Sequence, residues 1–118
     1  MAKKKTESAV SVKKAELLEI FAGADENKLK VAEPLIESAA FMAVSLKDLE
    51  QQLAEVGWTE TYQNGNRQSG SKQTAAAVSY LSVQKQLNVT THRLLDLVPP
   101  AKKSDAIDQL MDRFGIGG

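Results

Sequence analysis

No cysteine occurs in this chain, which excludes disulfide staples and thiolate metal sites and fits a reducing compartment. Histidine occurs once, at His92, so a nucleophile–base pair would need a serine to find that one imidazole; an ordinary surface or packing role is the simpler reading. Nor is there a His companion for the carboxylate pairs Glu33/Glu37 and Asp108/Asp112, whose i, i+4 spacing is common on solvated helix faces. The glycines Gly65, Gly70, Gly115, Gly117 and Gly118 form neither a phosphate loop nor a dinucleotide fingerprint. No stretch approaches the ~20 apolar residues that span a bilayer, and the basic start runs into Thr-Glu-Ser-Ala rather than a cleavable apolar segment. These absences lead us to expect a soluble, cytoplasmic, non-enzymatic protein with no cofactor, no metal and no membrane partner.

Net charge is also lacking: fifteen Lys and Arg balance fifteen Asp and Glu, which argues against a generic nucleic-acid coat. The charges are unevenly placed. Residues 1–14 carry +4, residues 15–57 carry −6, residues 58–103 carry +4 and residues 104–118 carry −2. Such blocks are either solvated helix faces or the mark of a dipolar protomer that pairs head to tail and points basic surfaces at phosphate.

What the sequence does have is apolar periodicity, and 118 residues suffice for one domain. The first dozen residues show none, so residues 1–12 are expected to be a flexible basic tail. From Val12 a short helix is predicted, with Leu17, Leu18 and Phe21 as one stripe and Gly23 as its stop. Asp25 can cap a second helix that reaches Val56. Along it Ala32, Leu35, Ala39, Met42, Leu46, Leu49, Leu53 and Val56 recur at spacings 3, 4, 3, 4, 3, 4, 3. Ile36, Ala40, Phe41, Ala43 and Val44 widen that stripe, which predicts burial on more than one side. At ~1.5 Å per residue this helix would run about 45 Å, longer than a compact domain of this size requires. Pro34 either kinks it or splits off residues 25–33 as a separate short helix.

Gly57 ends the second helix, and residues 58–71 are polar with turn signals at Asn64-Gly65 and Ser69-Gly70. Trp58, Glu60 and Tyr62 alternate, yet Asn66-Arg67-Gln68-Ser69 is a poor return strand, so an extended ordered loop is expected in preference to a β-hairpin. Thr74 is the predicted N-cap of a third helix that runs to about Val98, with a seam of Ala76, Tyr80, Val83, Leu87, Thr90, Leu94 and Leu97, and Pro99-Pro100 stops it. After Ser104, Ile107, Leu110, Met111 and Phe114 define a short amphipathic helix on a Pro-Pro hinge. The expected fold is therefore all-α: a long antiparallel helical hairpin within a core of residues 13–98, flanked by short N- and C-terminal helices, the last in a hinged tail of residues 99–118. Stripes wider than one partner helix predict a homo-oligomer, with Leu35, Met42, Leu46, Leu49, Leu53, Tyr80, Val83, Leu87 and Leu94 as its seam.

For nucleic acid, a helix-turn-helix over residues 13–38 would present an acidic second helix, the wrong charge for a recognition helix. Lys3, Lys4, Lys5, Lys13 and Lys14 are the better candidates for backbone contact, followed by Arg67, Lys72 and Arg93.

Five features share an order: the run Val31-Ala-Glu-Pro-Leu-Ile-Glu-Ser-Ala-Ala-Phe-Met42, then Leu46-Lys-Asp-Leu49, Tyr62-Gln-Asn-Gly65, Lys72 and Leu94-Leu-Asp-Leu-Val-Pro99. In this the chain resembles the phage terminase small subunits, in the short helical branch found on phages and prophages of Gram-positive bacteria, over roughly residues 15–100. The most characteristic piece is Tyr62-Gln-Asn-Gly65 between two helices. The resemblance implies a ring that recognises double-stranded viral DNA in the host bacterial cytoplasm and delivers it to the terminase large subunit, which carries the ATPase and nuclease. The separate N-terminal helix-turn-helix of many small terminases is not recognisable here, which leaves the DNA site open among the basic tail, the 58–72 loop and the rest of the surface. The tail stripe Ile107, Leu110, Met111 and Phe114 suits docking to a partner such as the large subunit, or folding back on its own bundle. A protein-only helical-hairpin adaptor is the alternative from another functional class.

Overall fold

The computed structural model of the chain describes residues 2–65, 68–98 and 103–114. Four helices and one hairpin follow in order: α1 (Ala2–Ile20), α2 (Glu26–Val56), β1 (Thr59–Asn64), β2 (Gln68–Gln73), α3 (Ala75–Leu97) and α4 (Lys103–Phe114). The fold is mainly helical, as the periodicity predicts, with a small antiparallel sheet added.

The helix ends follow local chemistry. Asp25 Oδ1 accepts a hydrogen bond from the Asn27 backbone N–H at 3.0 Å and so caps α2. Gly57 ends that helix at φ 82° and ψ 173°, backbone that is essentially closed to residues with a Cβ. Gly23, at φ 84°, closes the turn after α1. Pro34 neither breaks α2 nor splits it. Its missing N–H removes one helical bond, but the preceding turns are held by the Asp25 cap and by Leu29 and Ala32 packed into the core.

Two expectations are corrected. The N-terminal stretch, expected to be a flexible tail, is helical from Ala2, because Ala, Lys and Glu are strong helix formers and Val10 packs against the core further along the same helix. The 58–71 connection is a β-hairpin rather than an extended loop. Thr59 pairs with Gln73, Thr61 with Ser71 and Gln63 with Ser69, and Gly65, at φ 74°, supplies the turn that Asn64-Gly65 signals.

Packing is concentrated at the two ends of the molecule. At one end Leu17, Ile20 and Phe21 meet Ala32, Ile36, Ala39 and Ala40 of α2, Leu87 and Leu94 of α3 and Val98 just after it, with Ala106 and Leu110 of α4 completing the cluster. The alanines on α2 let both neighbouring helices approach closely. At the other end Leu53 packs with Ala76, Ala77 and Tyr80, just beneath the hairpin. Between them, Met42, Leu46, Leu49 and Val83 are only half-buried. The molecule measures 64 × 32 × 25 Å. Its Cα radius of gyration of 17.9 Å exceeds the ~13.5 Å of a compact chain of this length.

Candidate subunit and nucleic-acid interfaces

The heptad positions of α2 and α3 face each other inside one protomer. Leu87 and Leu94 are buried, Leu35, Met42 and Leu46 pack against the same core, and Leu53 and Tyr80 belong to the second cluster. Val56, the last position of the predicted α2 seam, is exposed. Periodicity therefore locates the α2–α3 contact, while a different set of apolar side chains is left to solvent: Val31 and Phe41 on α2, and Val78, Leu81 and Val89 on α3. Phe41 is 57% exposed. It lines a groove of about 480 Å³ between the two helices with Met42, Gln86 and Thr90, and a neighbouring groove of about 430 Å³ is lined by Val31, Pro34, Leu35 and Leu97. A third groove, about 610 Å³, lies between α1 and α2 over Ala9, Val12 and Val44.

The candidate cations do not converge on one surface. Lys13 Nζ lies 3.2 Å from Glu16 and Lys14 Nζ lies 3.8 Å from Glu33 of α2, which places both on the α1 side of the bundle. Arg93 is exposed beside Asp96 on the α3 side, in the groove that holds Val31 and Pro34. Lys72 is at the opposite end on β2, with its Nζ 3.7 Å from Glu60 on β1. The backbone of Lys3, Lys4 and Lys5 belongs to α1, but their side chains lie outside the described residues, as does Arg67 altogether. Lys72 and Glu60 are both exposed, and a surface pair of this kind is worth roughly 0–1 kcal/mol, whereas Lys13, Lys14 and Glu16 are half-buried.

In α4, Ala106 and Leu110 are buried against the bundle and Leu110 is 1% exposed. Leu110 is therefore a core residue rather than a free docking anchor. Its neighbours on the adjoining face, Ile107 and Met111, remain exposed, and the Phe114 side chain and the Pro99-Pro100 hinge lie outside the described residues.

At the junction beneath the hairpin Thr74, the predicted N-cap of α3, is buried. Its Oγ1 accepts from the Ala77 backbone N–H at 3.2 Å, capping α3, and donates to the Gly57 carbonyl at 2.7 Å, closing the end of α2. The Thr74 N–H donates to the Trp58 carbonyl at 3.0 Å. One residue thus fixes where both long helices end and where the hairpin leaves. Trp58 sits edge-on to Tyr80 with 5.7 Å between ring centroids. Partial burial, and then the nearby Glu50 carboxylate that accepts the Tyr80 hydroxyl at 3.4 Å, raise the Tyr80 pKa above its ordinary value.

Among the described residues no cluster of three His, Asp or Glu side chains could hold a metal, and no helix is long and apolar enough to cross a membrane. His92 is exposed on α3. Searches against known protein families, curated proteins and solved structures returned no match to this chain.

Proposed function

We propose that this chain is the small subunit of a phage DNA-packaging terminase, a non-catalytic ring-forming protein that binds double-stranded viral DNA and hands it to the large, ATPase- and nuclease-bearing subunit in the host bacterial cytoplasm. The observation that carries the reading is the incompletely covered apolar surface of the α2–α3 hairpin. A protomer that stops burying its apolar residues at mid-length, and leaves Phe41, Val78, Leu81 and Val89 in water, is built to be finished by neighbours. The reading is supported by the resemblance to the small terminases in the ordered run from Val31 to Pro99, with Tyr62-Gln-Asn-Gly65 between the long helices. The +4 blocks at residues 1–14 and 58–103 supply cations for phosphate. Lys3, Lys4, Lys5, Lys13 and Lys14, together with Arg67, Lys72 and Arg93, are the proposed phosphate contacts, and Ile107 and Met111 are the part of the tail stripe available to the large subunit.

A protein-only adaptor is favoured by one specific observation, the pairing of Lys13, Lys14 and Lys72 with carboxylates. Salt separates the two readings. If Z phosphates are neutralised, log affinity falls against log salt with a slope of about −0.9Z, and replacing the five N-terminal lysines by Ala flattens it by about 0.9 for each phosphate no longer neutralised. Absence of DNA retention even at low salt, with an intact oligomer, rejects the terminase reading in favour of the adaptor. An unchanged slope in the five-lysine variant moves the phosphate-binding role to Arg67, Lys72 and Arg93.

A further inference from the structure

Resting on the closed oligomer proposed above, we infer that the outer side of α3 in one copy packs antiparallel along the outer side of α2 in the next, with Lys85 set against Glu37. On α3, Val78, Leu81, Lys85 and Val89 recur at spacings 3, 4, 4 and form one stripe, and all four are exposed. The core positions of that helix, Leu87 and Leu94 among them, lie on its other side. On α2, Pro34, Glu37, Phe41 and Val44 recur at spacings 3, 4, 3; the first three are exposed and Val44 is half-buried. Val44 also lines the groove of about 610 Å³ beside Val12, so the apolar strip continues onto α1.

Each stripe is three apolar side chains with one charge among them, and the two charges are opposite. Laid antiparallel, Val78 meets Val44, Leu81 meets Phe41, Lys85 meets Glu37 and Val89 meets Pro34. The lengths agree too. At ~1.5 Å per residue the α3 stripe runs about 16 Å and the α2 stripe about 15 Å. Neither Lys85 nor Glu37 forms an ion pair or a side-chain hydrogen bond with another described residue.

That pattern selects the occupant. Whatever covers the α3 stripe takes Lys85 out of water, and an ammonium left unpaired there is costly. The cover must therefore bring a carboxylate one turn from its own apolar contacts, as α2 does. The helices also complement each other in overall charge, since α2 holds six acids against three lysines while α3 holds Lys85 and Arg93 against Asp96. Pairing α3 with its own copy fails on the same ground. Lys85 lies midway between Leu81 and Val89, so the antiparallel register that joins those two sets Lys85 against the partner's Lys85.

The direction follows from closure. Copies around a ring axis that runs along the helices all point the same way, and α3 runs opposite to α2 in each of them. Because the stripes sit on different helices, the contact is heterologous, and an open row of copies keeps one unused stripe at each end until the ring closes.

The experiment compares the wild-type chain with Lys85→Glu, Glu37→Lys and the double variant by sedimentation over a concentration series at fixed salt, with circular dichroism to confirm the helices. Each single change sets like charges together and should raise the dissociation constant by roughly 10-fold to 1,000-fold. The double variant reverses the pair and should return to within about 10-fold of wild type. Leu81→Asp and Phe41→Asp should each be monomeric and, when mixed, should give a 1:1 dimer and nothing larger, because one intact α3 stripe then meets one intact α2 stripe. Single charge variants that assemble like wild type, a double variant as weak as the singles, or a mixture that stays monomeric would overturn the contact while leaving the oligomer in place. Recovery of Lys85→Glu by Asp48→Lys in place of Glu37→Lys would also overturn it, since that pair belongs to the parallel direction. Wild type that is monomeric at micromolar concentration would instead sink the oligomer reading, and this contact with it.

Discussion

Replacing Thr74 with Val removes one hydroxyl, keeps a β-branched side chain of nearly the same volume, and disconnects two helix ends at once. The first loss is the N-cap of α3, the 3.2 Å bond from the Ala77 N–H to Thr74 Oγ1, which costs about 1 kcal/mol in comparable caps. The second is the 2.7 Å bond to the Gly57 carbonyl, another ~1 kcal/mol net, or more if that carbonyl finds no water. Both bonds share one hydroxyl, so they need not add strictly; about 2–3 kcal/mol in total is expected. For a domain of this size that is a fall in Tm of roughly 6–12 °C. Urea unfolding followed by helical circular dichroism, at one fixed chain concentration because oligomerisation shifts apparent stability, should show a lower midpoint with an unchanged slope. Thr74→Ser keeps both bonds and should stay within about 0.5 kcal/mol of wild type, the usual scatter of a mild substitution. A Thr74→Val protein as stable as the Ser variant would show that this hydroxyl does not join α2 to α3.

Gly57→Ala should cost about 1–3 kcal/mol by the same assay, since its positive φ with extended ψ is closed to a Cβ; a neutral outcome would mean that the α2 terminus is built differently. Phe41→Asp, on the exposed face, should leave the protomer folded but dissociate the oligomer in light scattering, whereas Leu87→Asp, in the core, should cost several kcal/mol and lose the fold; identical effects would erase the distinction between the two surfaces. Leu110→Ala should lower stability by about 2–5 kcal/mol because α4 belongs to the core, and a thermal scan that shows no change would return α4 to the role of a free tail. Tyr80, whose pKa is raised in the fold, favours the neutral phenol, so its stabilisation is complete below pH 10.0 and is lost as pH rises through the folded value. Tyr80→Phe should flatten that alkaline decline of the urea midpoint, and an equal decline in the variant would contradict the assignment.

The helix termini are legible in the sequence because single residues decide them: Asp25, Thr74 and the glycines at 23 and 57 act through local backbone chemistry. The α2 and α3 stripes are legible as the two sides of a helical hairpin, but periodicity cannot divide their positions between that contact and one between protomers. Positions such as Leu87 and Leu94, expected between protomers, pack within one. The N-terminal half of α1 carries no apolar repeat for a periodicity reading to find; its strong helix formers are the better guide. The hairpin escapes a propensity reading because Gln, Ser and Gly are weak strand formers, and what favours β2 is non-local: the Tyr62 ring over Gly70 and the tie of Thr74 to Trp58. Alternation at Trp58, Glu60 and Tyr62, followed by Asn64-Gly65, is the one local signal for it. The division of the hairpin into two faces has none, since it exists only once the register is set.

On the proposed reading these protomers close into one oligomer, and that oligomer carries DNA. A native mass spectrum recorded at micromolar chain concentration, with and without a short duplex at low salt, tests both halves together. A single closed stoichiometry that persists when duplex is added, and gains the duplex mass, is the expected result. A monomer under those conditions, or an oligomer that never acquires the duplex, would contradict it.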